Sequence, residues 1–432
     1  MVGQFVRKGD SERPFLGQRI RGSISRCKNF PMKYFKNNSV ASLVGHGAPR
    51  ATASAIAAVI VSLFFIRGTV LSQEKDLSKG IAEQKPTDPF DQVVQLFMQK
   101  HDVPGMSIAI ARNNELVYAN GFGFADVEHS VPATEMTRYR TASIAKPMTA
   151  AVVLSLMEEG KLDIDQGVQE YVPEFPEKRW PVTSRQLLGH LGGVRHYKST
   201  AESSSTKHFF SLDSALRTFA DDPLVHEPGT KYRYSSFGYN LLGSVAEAAG
   251  EASFMDLLSE KVLKPAGMKH TVADDVFAVI PNRSRGYFRA TKSLLTMAPE
   301  GHNFVEGTLY NSTLHDTSMK IPGGGLLSTA PDLVRFAVAL NQGSLLKDST
   351  LDEMWTRQST SDGNQTSYGL GWSVGLKSGH RAVWHGGAQS GTSTTLLLYP
   401  DSGKCVAIMA NLQRMSLMET AVAIADLVDP PK

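Results

Sequence analysis

Strand-like segments stand at both ends of the region that follows residue 90, and these two sets of strands constrain the fold most strongly. At the front, "GMSIAIAR" (105–112) and "ELVYANGFG" (115–123) are joined at the turn-like pair Asn113 and Asn114. Near the other end stand four apolar runs, "GLGWSVGL", "RAVWHGG", "STTLLLYP" and "CVAIMANL". Since strands need partners, we expect the two sets to share one antiparallel sheet.

Helical patterns surround and interrupt these strands. Apolar residues have helical spacing from Asp91 to His101 and again in "SLMETAVAIADLV" near the end of the chain. The middle, from Ser143 to Met268, is mostly helical in pattern, as in "SLDSALRTFA" and "GYNLLGSVAEAAG", which ends at Gly250. We therefore expect an α+β fold in which terminal helices flank the sheet and a mainly helical region is inserted into it.

Charge is unevenly distributed along the chain. The formal net charge is +3, but residues 1–75 contribute +9, so the remainder carries −6. A globular part with an acidic balance argues against a nucleic-acid binder. The basic residues of segment 1–50 are interspersed with serines, which is typical of a mitochondrial transit leader.

The segment after this leader is apolar. "ATASAIAAVIVSLFFI" (51–66) is bounded by Arg50 and Arg67 and falls slightly short of the roughly 20 residues that span a bilayer. A buried core helix is one interpretation, but the preceding basic leader favours a membrane anchor at 51–67 that sends the rest of the chain across the membrane. For a mitochondrial protein, this orientation predicts inner-membrane association and an intermembrane-space domain. A type II anchor of the secretory pathway is the alternative.

The remaining domain boundaries and cofactor predictions follow from composition. Residues 68–90 have the polar composition of a linker, and residues 91–432 have the pattern of one catalytic domain. The two cysteines, Cys27 and Cys405, offer no disulfide framework. The histidines are scattered without zinc-site spacing, so the sequence supports neither a metal site nor a cofactor.

A serine and a lysine one helical turn apart are the first catalytic candidates. Ser143 directly precedes a helical run, and Lys146 lies on the same face. A lysine screened from water has a lowered pKa and can activate a serine hydroxyl as a nucleophile. The spacing alone does not decide, because four other pairs share it: Ser25/Lys28, Ser72/Lys75, Ser204/Lys207 and Ser344/Lys347. An N-capping serine with a solvated lysine is the alternative interpretation.

Two later segments supply further candidates. In "GTKYRYSSFGYNLLG", Tyr234 precedes a helical run, and a tyrosine beside a cation is expected to ionise more easily and relay a proton. In "WHGGAQSG", His385 precedes Gly386 and Gly387, which would let a substrate approach the strand closely. Packing tyrosines and a plain glycine turn are the alternatives.

Taken in this order, the three segments resemble the motifs of the serine β-lactamase and penicillin-binding protein superfamily, in its class C and esterase branch. The matching positions are Ser143 to Lys146, Tyr234-Ser235-Ser236 and His385-Gly386-Gly387, and stretches such as "SRQLLGHLGGV" and "GGGLLSTAPDLVRFAVAL" are also similar to the family. The resemblance covers about residues 90–428. It implies a β-lactamase/transpeptidase-like fold and an acyl-enzyme mechanism on an amide or ester.

The resemblance also implies a role for each site residue. Ser143 is the nucleophile, and Lys146 and Tyr234 move its proton. The N–H groups of Ser143 and Ala388 hold the oxyanion. Gly387, His385 and Ser236 lie at the substrate, and Ser236 replaces the usual asparagine, whose amide pairs with the acyl side chain. A serine is shorter and lacks the amide, so we expect peptide or ester substrates rather than efficient β-lactam hydrolysis.

Within the superfamily, "YVPEFPEKRW", "LGGVRHY" and the basic leader are similar to an animal mitochondrial branch. That likeness implies a serine peptidase of the intermembrane space that self-assembles into oligomers or filaments and is linked to lipid metabolism. A catalytically inactive scaffold that polymerises or binds partners is the alternative from another class of protein.

A second serine motif, "GWSVG" (371–375), matches the nucleophile elbow of α/β-hydrolases. That motif requires a strand-turn-helix context with an acid and then a histidine downstream. After Ser373 the histidines come before the acid, which is the reverse of the required order, and the flanks of Ser373 have the pattern of two antiparallel strands. We therefore expect Ser373 to be structural.

Overall fold

The computed structural model of the protein describes residues 88–292 and 302–428. The predicted leader (1–50), the anchor candidate (51–67) and all but the end of the predicted linker (68–90) lie outside these residues. Within the described ranges, no helix is both long and apolar enough to cross a bilayer.

The described residues contain twelve strands in three sheets. Their bounds are β1 Gly105–Arg112, β2 Glu115–Asp126, β3 Val131–Pro132, β4 Tyr139–Arg140, β5 Val272–Ala273, β6 Tyr287–Arg289, β7 Leu309–Asn311, β8 Leu326–Ser328, β9 Ser373–Lys377, β10 His380–Gln389, β11 Thr392–Tyr399 and β12 Lys404–Ala410.

The main sheet joins both ends of the domain. Its strand order is β3-β2-β1-β12-β11-β10-β9, and β1 pairs antiparallel with β12, which places Met106 opposite Ala410 and Ile110 opposite Val406. The turn between β1 and β2 uses Asn113 and Asn114, both in the left-handed conformation that asparagine tolerates. The predicted α+β fold with a shared antiparallel sheet is confirmed.

Eleven α-helices accompany the strands in the described part of the chain. They are α1 Pro89–His101, α2 Ala145–Glu158, α3 Ser184–Leu188, α4 Thr200–Ser203, α5 Leu212–Leu216, α6 Ser236–Gly250, α7 Phe254–Leu258, α8 Ile321–Gly324, α9 Ala330–Asn341, α10 Asp348–Met354 and α11 Met418–Val428.

The sheet separates two apolar cores. On one face, Val94 of α1 and Ile424 of α11 pack with Ile108 and Ile110 of β1. The intervening Ala109 belongs to the other core, which contains the buried faces of α2, α6 and α9. Residues of a strand alternate between its faces, so an apolar run such as β1 can serve both cores at once.

Part of the insertion differs from the helical prediction. The segment "SLDSALRTFA" forms only the short helix α5, and β4, β8 and β5 make a small three-stranded sheet. These strands are two or three residues long, too short to produce an alternating pattern in the sequence. The small sheet matters for the site because β4 leads directly to Ser143.

Candidate active site

Ser143 lies in a strained turn between β4 and α2. The turn is a 3₁₀ segment, Ala142–Ile144, and Ala142 has a φ of 48°, which is unusual for a residue other than glycine. The preceding Thr141 is held on both sides: its N–H donates to Leu326 O at 2.8 Å, and its carbonyl accepts from Thr394 Oγ1 at 2.9 Å. The surrounding strands therefore fix the backbone that presents Ser143.

Lys146 is fully buried in the first turn of α2. Its Nζ lies 3.1 Å from Ser143 Oγ, 3.1 Å from Ser236 Oγ and 2.6 Å from Gly323 O. Burial lowers the pKa of Lys146 well below its ordinary value, and the positive charge of Lys320 lowers it further. No carboxylate of the described residues forms an ion pair with it, so the environment favours the neutral amine, which can accept a proton.

The second motif is positioned by the start of α6. Ser235 caps the helix, because its side chain accepts from Gly238 N at 2.9 Å. Ser236 follows in the first turn, where its hydroxyl oxygen accepts from Lys146 Nζ at 3.1 Å and its side chain interacts with Tyr197. Ser236 borders the cavity, but its hydroxyl is already engaged by protein partners.

Tyr234 borders the same cavity as Ser143 and forms a hydrogen bond with it. Lys146 Nζ lies 4.9 Å from the centre of the Tyr234 ring. Burial nevertheless raises the pKa of Tyr234, and the hydrogen bond with Ser143 only partly opposes that rise. The expectation that a neighbouring cation eases its ionisation is therefore wrong: a buried lysine with a lowered pKa gives little positive charge, and Tyr234 remains a neutral phenol.

His385 does not face the cavity in which it was expected to contact the substrate. It is buried in β10, where its Nε2 accepts from Tyr368 Oη at 2.8 Å and its Nδ1 donates to Gly386 O at 2.7 Å. Burial lowers the pKa of His385 to about 3. Because strand residues alternate, His385 points inward while Gly386 and Ala388 are exposed. His385 therefore binds Tyr368 and does not line the cavity.

Gly387 lets β10 pack against the turn of Ser143. A Cβ atom at Gly387 would lie 2.3 Å from Thr394 Oγ1 and 2.4 Å from Thr141 O, which no side chain can do without displacing backbone. A Cβ at Gly386 would meet nothing closer than 3.9 Å. Gly387 thus allows β10 to pack closely against β11 and the segment of Thr141, whereas the space beside Gly386 is open. This packing brings the strand carrying Ala388 beside Ser143.

A cavity of about 630 Å³ lies at this junction, and Ser143, Tyr234, Ser236, Gly387 and Ala388 all border it. Beyond Trp384, β10 has no further pairing with β9, the strand on its outer side among the described residues. The structure therefore brings together every predicted site residue except the His385 side chain, next to an open strand edge.

Three groups at the site were not predicted from the sequence. His196 borders the cavity, and its Nδ1 accepts from Ser236 N at 3.1 Å. Lys320 also borders it, with Nζ donating to Ser203 O at 2.7 Å, and burial together with the charge of Arg140 lowers its pKa to about 8. His190 is buried beneath Tyr234, with ring centres 4.2 Å apart. All three lie outside regular strands and long helices. In the sequence, only the two histidines stood in a stretch that resembles the family, "LGHLGGVRHY".

Ser373 has the structural role that the sequence predicts. It begins β9 opposite Trp384 of β10, in an antiparallel hairpin rather than a strand-turn-helix elbow. Elsewhere on the described surface, Asp126, Glu128 and His129 bring ligand-type atoms within 4.8 Å of one another. Arg285 forms ion pairs with both of these acids, which accounts for the cluster without a metal.

Comparison with known proteins agrees with this geometry. The human and mouse serine β-lactamase-like proteins LACTB, mitochondrial, are each 29% identical to this chain; the human match covers 74% of this chain and 76% of the human protein. The octameric penicillin-binding protein homologue from Pyrococcus abyssi has the same fold, with a TM-score of 0.66 and 24% identity over 78% of this chain and 76% of that one. The D-amino acid amidase from Ochrobactrum anthropi has a TM-score of 0.66 at 23% identity, covering 79% of this chain and 99% of the amidase.

These likenesses confirm the predicted resemblance to the superfamily and to its animal mitochondrial members. The Beta-lactamase family model matches residues 90–429, which is most of the chain. This protein belongs to the β-lactamase family.

Proposed function

We propose that the protein is a serine hydrolase that forms an acyl-enzyme at Ser143 on a peptide or ester substrate. The observation that carries this proposal is the position of Lys146 Nζ, 3.1 Å from Ser143 Oγ, in an environment that lowers the pKa of the lysine. A neutral amine at hydrogen-bond distance from a hydroxyl is the arrangement that general-base activation of a serine requires.

In the first half of the reaction, Lys146 accepts the hydroxyl proton while Ser143 Oγ bonds to the substrate carbonyl carbon. The negative charge that develops on the carbonyl oxygen is held by the N–H groups of Ser143 and Ala388. The close packing at Gly387 supports this pairing of donors, because it brings β10 against the turn of Ser143.

Collapse of this intermediate breaks the bond to the leaving group, which takes a proton from Lys146 through the hydroxyl of Tyr234. A raised pKa suits Tyr234 to such a relay, since it passes a proton on without remaining ionised. Water then attacks the acyl carbon and gives a proton to Lys146, which passes it to Ser143 Oγ as the bond between that oxygen and the acyl carbon breaks and the carboxylic acid leaves. The scheme uses neither a metal nor an organic cofactor.

The open edge of β10 supports a peptide as the substrate. An extended segment can pair with an exposed strand edge through backbone hydrogen bonds. The lining of the cavity at this edge is mixed: it includes the polar residues Ser203 and Lys320 and the apolar residues Trp384 and Leu417. Such a lining suits a peptide, which has both hydrogen-bonding groups and apolar side chains.

The cellular setting is part of the same proposal. We infer a mitochondrial location in the intermembrane space, supported by the basic leader and by the mitochondrial designation of the relatives. Self-assembly into oligomers or filaments is supported by the octameric state of the Pyrococcus abyssi homologue, and inner-membrane association by the apolar segment at 51–67. A link to lipid metabolism rests on the family resemblance. Fractionation with protease protection tests the location; co-purification with secretory membranes would contradict it.

Labelling with a fluorophosphonate probe tests the chemistry. We expect the wild type to be labelled and Ser143→Ala to remain unlabelled. Ser373→Ala is the matched control, because it removes the other serine with a hydrolase-like motif and should be labelled like the wild type. Equal labelling of wild type and Ser143→Ala, or labelling of neither, would contradict an acyl-enzyme at Ser143 and would favour the scaffold alternative.

A further inference from the structure

His196 stands beside the reacting groups, although no step of the proposed mechanism uses it. It is connected to Ser143 through a short chain of contacts: Ser236 N donates to His196 Nδ1, Ser236 Oγ accepts from Lys146, and Lys146 contacts Ser143. The His196 ring also packs edge-on against Tyr234, with ring centres 5.7 Å apart. The imidazole is therefore anchored in the wall of the cavity that Ser143 also borders.

The anchor determines which ring nitrogen of His196 carries the proton. Nδ1 accepts a backbone N–H, so in the neutral ring the proton is on Nε2. Burial lowers the pKa of His196 to about 4, and the charge of Lys320 contributes, so the ring stays neutral at physiological pH. Among the described residues, His196 Nε2 has no hydrogen-bond partner. It does not belong to the buried polar atoms that lack a partner, so it is accessible from the cavity side. His196 thus presents an N–H donor to the cavity.

The neighbouring side chain of Ser236 is already engaged by the protein. Its hydroxyl oxygen accepts from Lys146 Nζ at 3.1 Å, and its side chain also interacts with Tyr197. His196, in contrast, has a ring N–H that no described residue uses.

We propose that His196 is a substrate-binding residue whose Nε2–H donates to a carbonyl oxygen in the acyl part of the substrate. The substrate class that follows is an acyl donor with a second carbonyl close to the scissile one, such as an N-acylated amino acid or peptide, rather than a simple alkanoyl ester. This assignment rests on the proposed function of Ser143.

Two esters with the same leaving group test the assignment. p-Nitrophenyl N-acetylglycinate has the second carbonyl, and p-nitrophenyl propionate lacks it. For His196→Phe, which keeps a ring but removes both nitrogens, we expect kcat/KM to fall about tenfold on the acetylglycinate, in line with one lost hydrogen bond, and to change little on the propionate. Most of the loss should appear in KM if the donor binds the ground state and the transition state equally.

Two further variants separate binding from folding. His196→Gln keeps an acceptor for Ser236 N and a donor for the substrate, so it should restore most of the preference for the acetylglycinate. His129→Phe makes the same replacement at an exposed histidine outside the cavity and should behave as the wild type. Thermal unfolding of each variant reports whether it is folded.

The outcomes distinguish this inference from the function on which it rests. If His196→Phe slows both esters by the same factor, or slows neither, His196 only positions Ser236 or has no role, and the inference is wrong while Ser143 remains the nucleophile. If the wild type hydrolyses neither ester and takes no fluorophosphonate label, the proposed function fails and the inference fails with it.

Discussion

The Nζ atom of Lys146 lies 3.1 Å from the Oγ atom of Ser143, and no described carboxylate balances its charge with an ion pair. Lys146→Met keeps the length of the side chain and removes the amine, so we expect fluorophosphonate labelling of Ser143 to slow about 10²- to 10⁴-fold. The control is Lys261→Met, which replaces a similarly shielded lysine that forms an ion pair with Glu159. Labelling of Lys146→Met at the wild-type rate would rule out the lysine as the base.

The same lysine predicts the direction of the pH dependence. Lys146 must be neutral to accept a proton, and its pKa is lowered well below 10.5. The labelling rate should therefore rise with pH as the amine loses its proton and level off well before the pH at which an ordinary lysine titrates. A stopped series of labelling reactions across the pH range measures this. A rate that keeps rising up to pH 10.5 would show that Lys146 titrates normally.

Tyr234→Phe should affect amides and activated esters differently. An amine leaving group needs a proton, which Tyr234 relays in the proposed scheme, whereas p-nitrophenolate leaves without one. We expect kcat to fall about 10²- to 10⁴-fold on an anilide and less than about tenfold on the matching p-nitrophenyl ester. Equal losses on the two substrates would mean that Tyr234 positions the substrate instead of moving the leaving-group proton.

Adjacent glycines of β10 provide a matched pair. A Cβ at Gly387 would collide with Thr394 Oγ1 and Thr141 O, so Gly387→Ala should lower the free energy of unfolding by about 1–3 kcal/mol and abolish labelling of Ser143. Gly386→Ala places its methyl group in open space, with the nearest atom 3.9 Å away, and should remain folded and reactive. Denaturant unfolding and probe labelling of both variants check this, and the reverse order of effects would contradict the packing described.

His385 predicts a loss of stability in acid. Its pKa is about 3 when folded and about 6.5 when unfolded, so its contribution is fully present above pH 6.5 and is lost as the pH falls toward 3. For one such group the loss by pH 4 is about 3 kcal/mol at most. His385→Gln is less stable at neutral pH because packing is lost, but its Tm should fall less between pH 7 and pH 4 than that of the wild type. Parallel Tm curves would contradict a neutral buried His385.

The sequence predicts the strands and helices whose apolar residues follow a regular pattern. The strands β1, β10, β11 and β12 were placed because apolar runs and turn residues give a strong local signal, and the end of α6 was placed by Gly250. Short strands such as β4 gave none, because their register is set by contacts with β8 and not by their own residues.

The site, too, was predicted only where a local motif marks its residues. Ser143, Lys146 and Tyr234 were identified from motifs, but a motif does not show burial, which reverses the expected pKa shift of Tyr234. Nor does it show which face of β10 a residue takes, and the His385 side chain lies on the face turned away from the cavity. His196 and Lys320 reach the site from irregular segments, where only the folded chain shows which side chains meet.

The pairing of β1 with β12 also has a consequence for when the proposed activity can begin. Ser143 leaves the ribosome well before β10, and β10, which carries the second proposed oxyanion donor, is held in the sheet between β9 and β11. A pairing this distant in sequence forms slowly, because the loop that it closes is nearly the whole domain. In the proposed scheme, Ser143 is therefore synthesised early but lacks the N–H of Ala388 until the last strands have formed, so we expect an incomplete chain to be inactive.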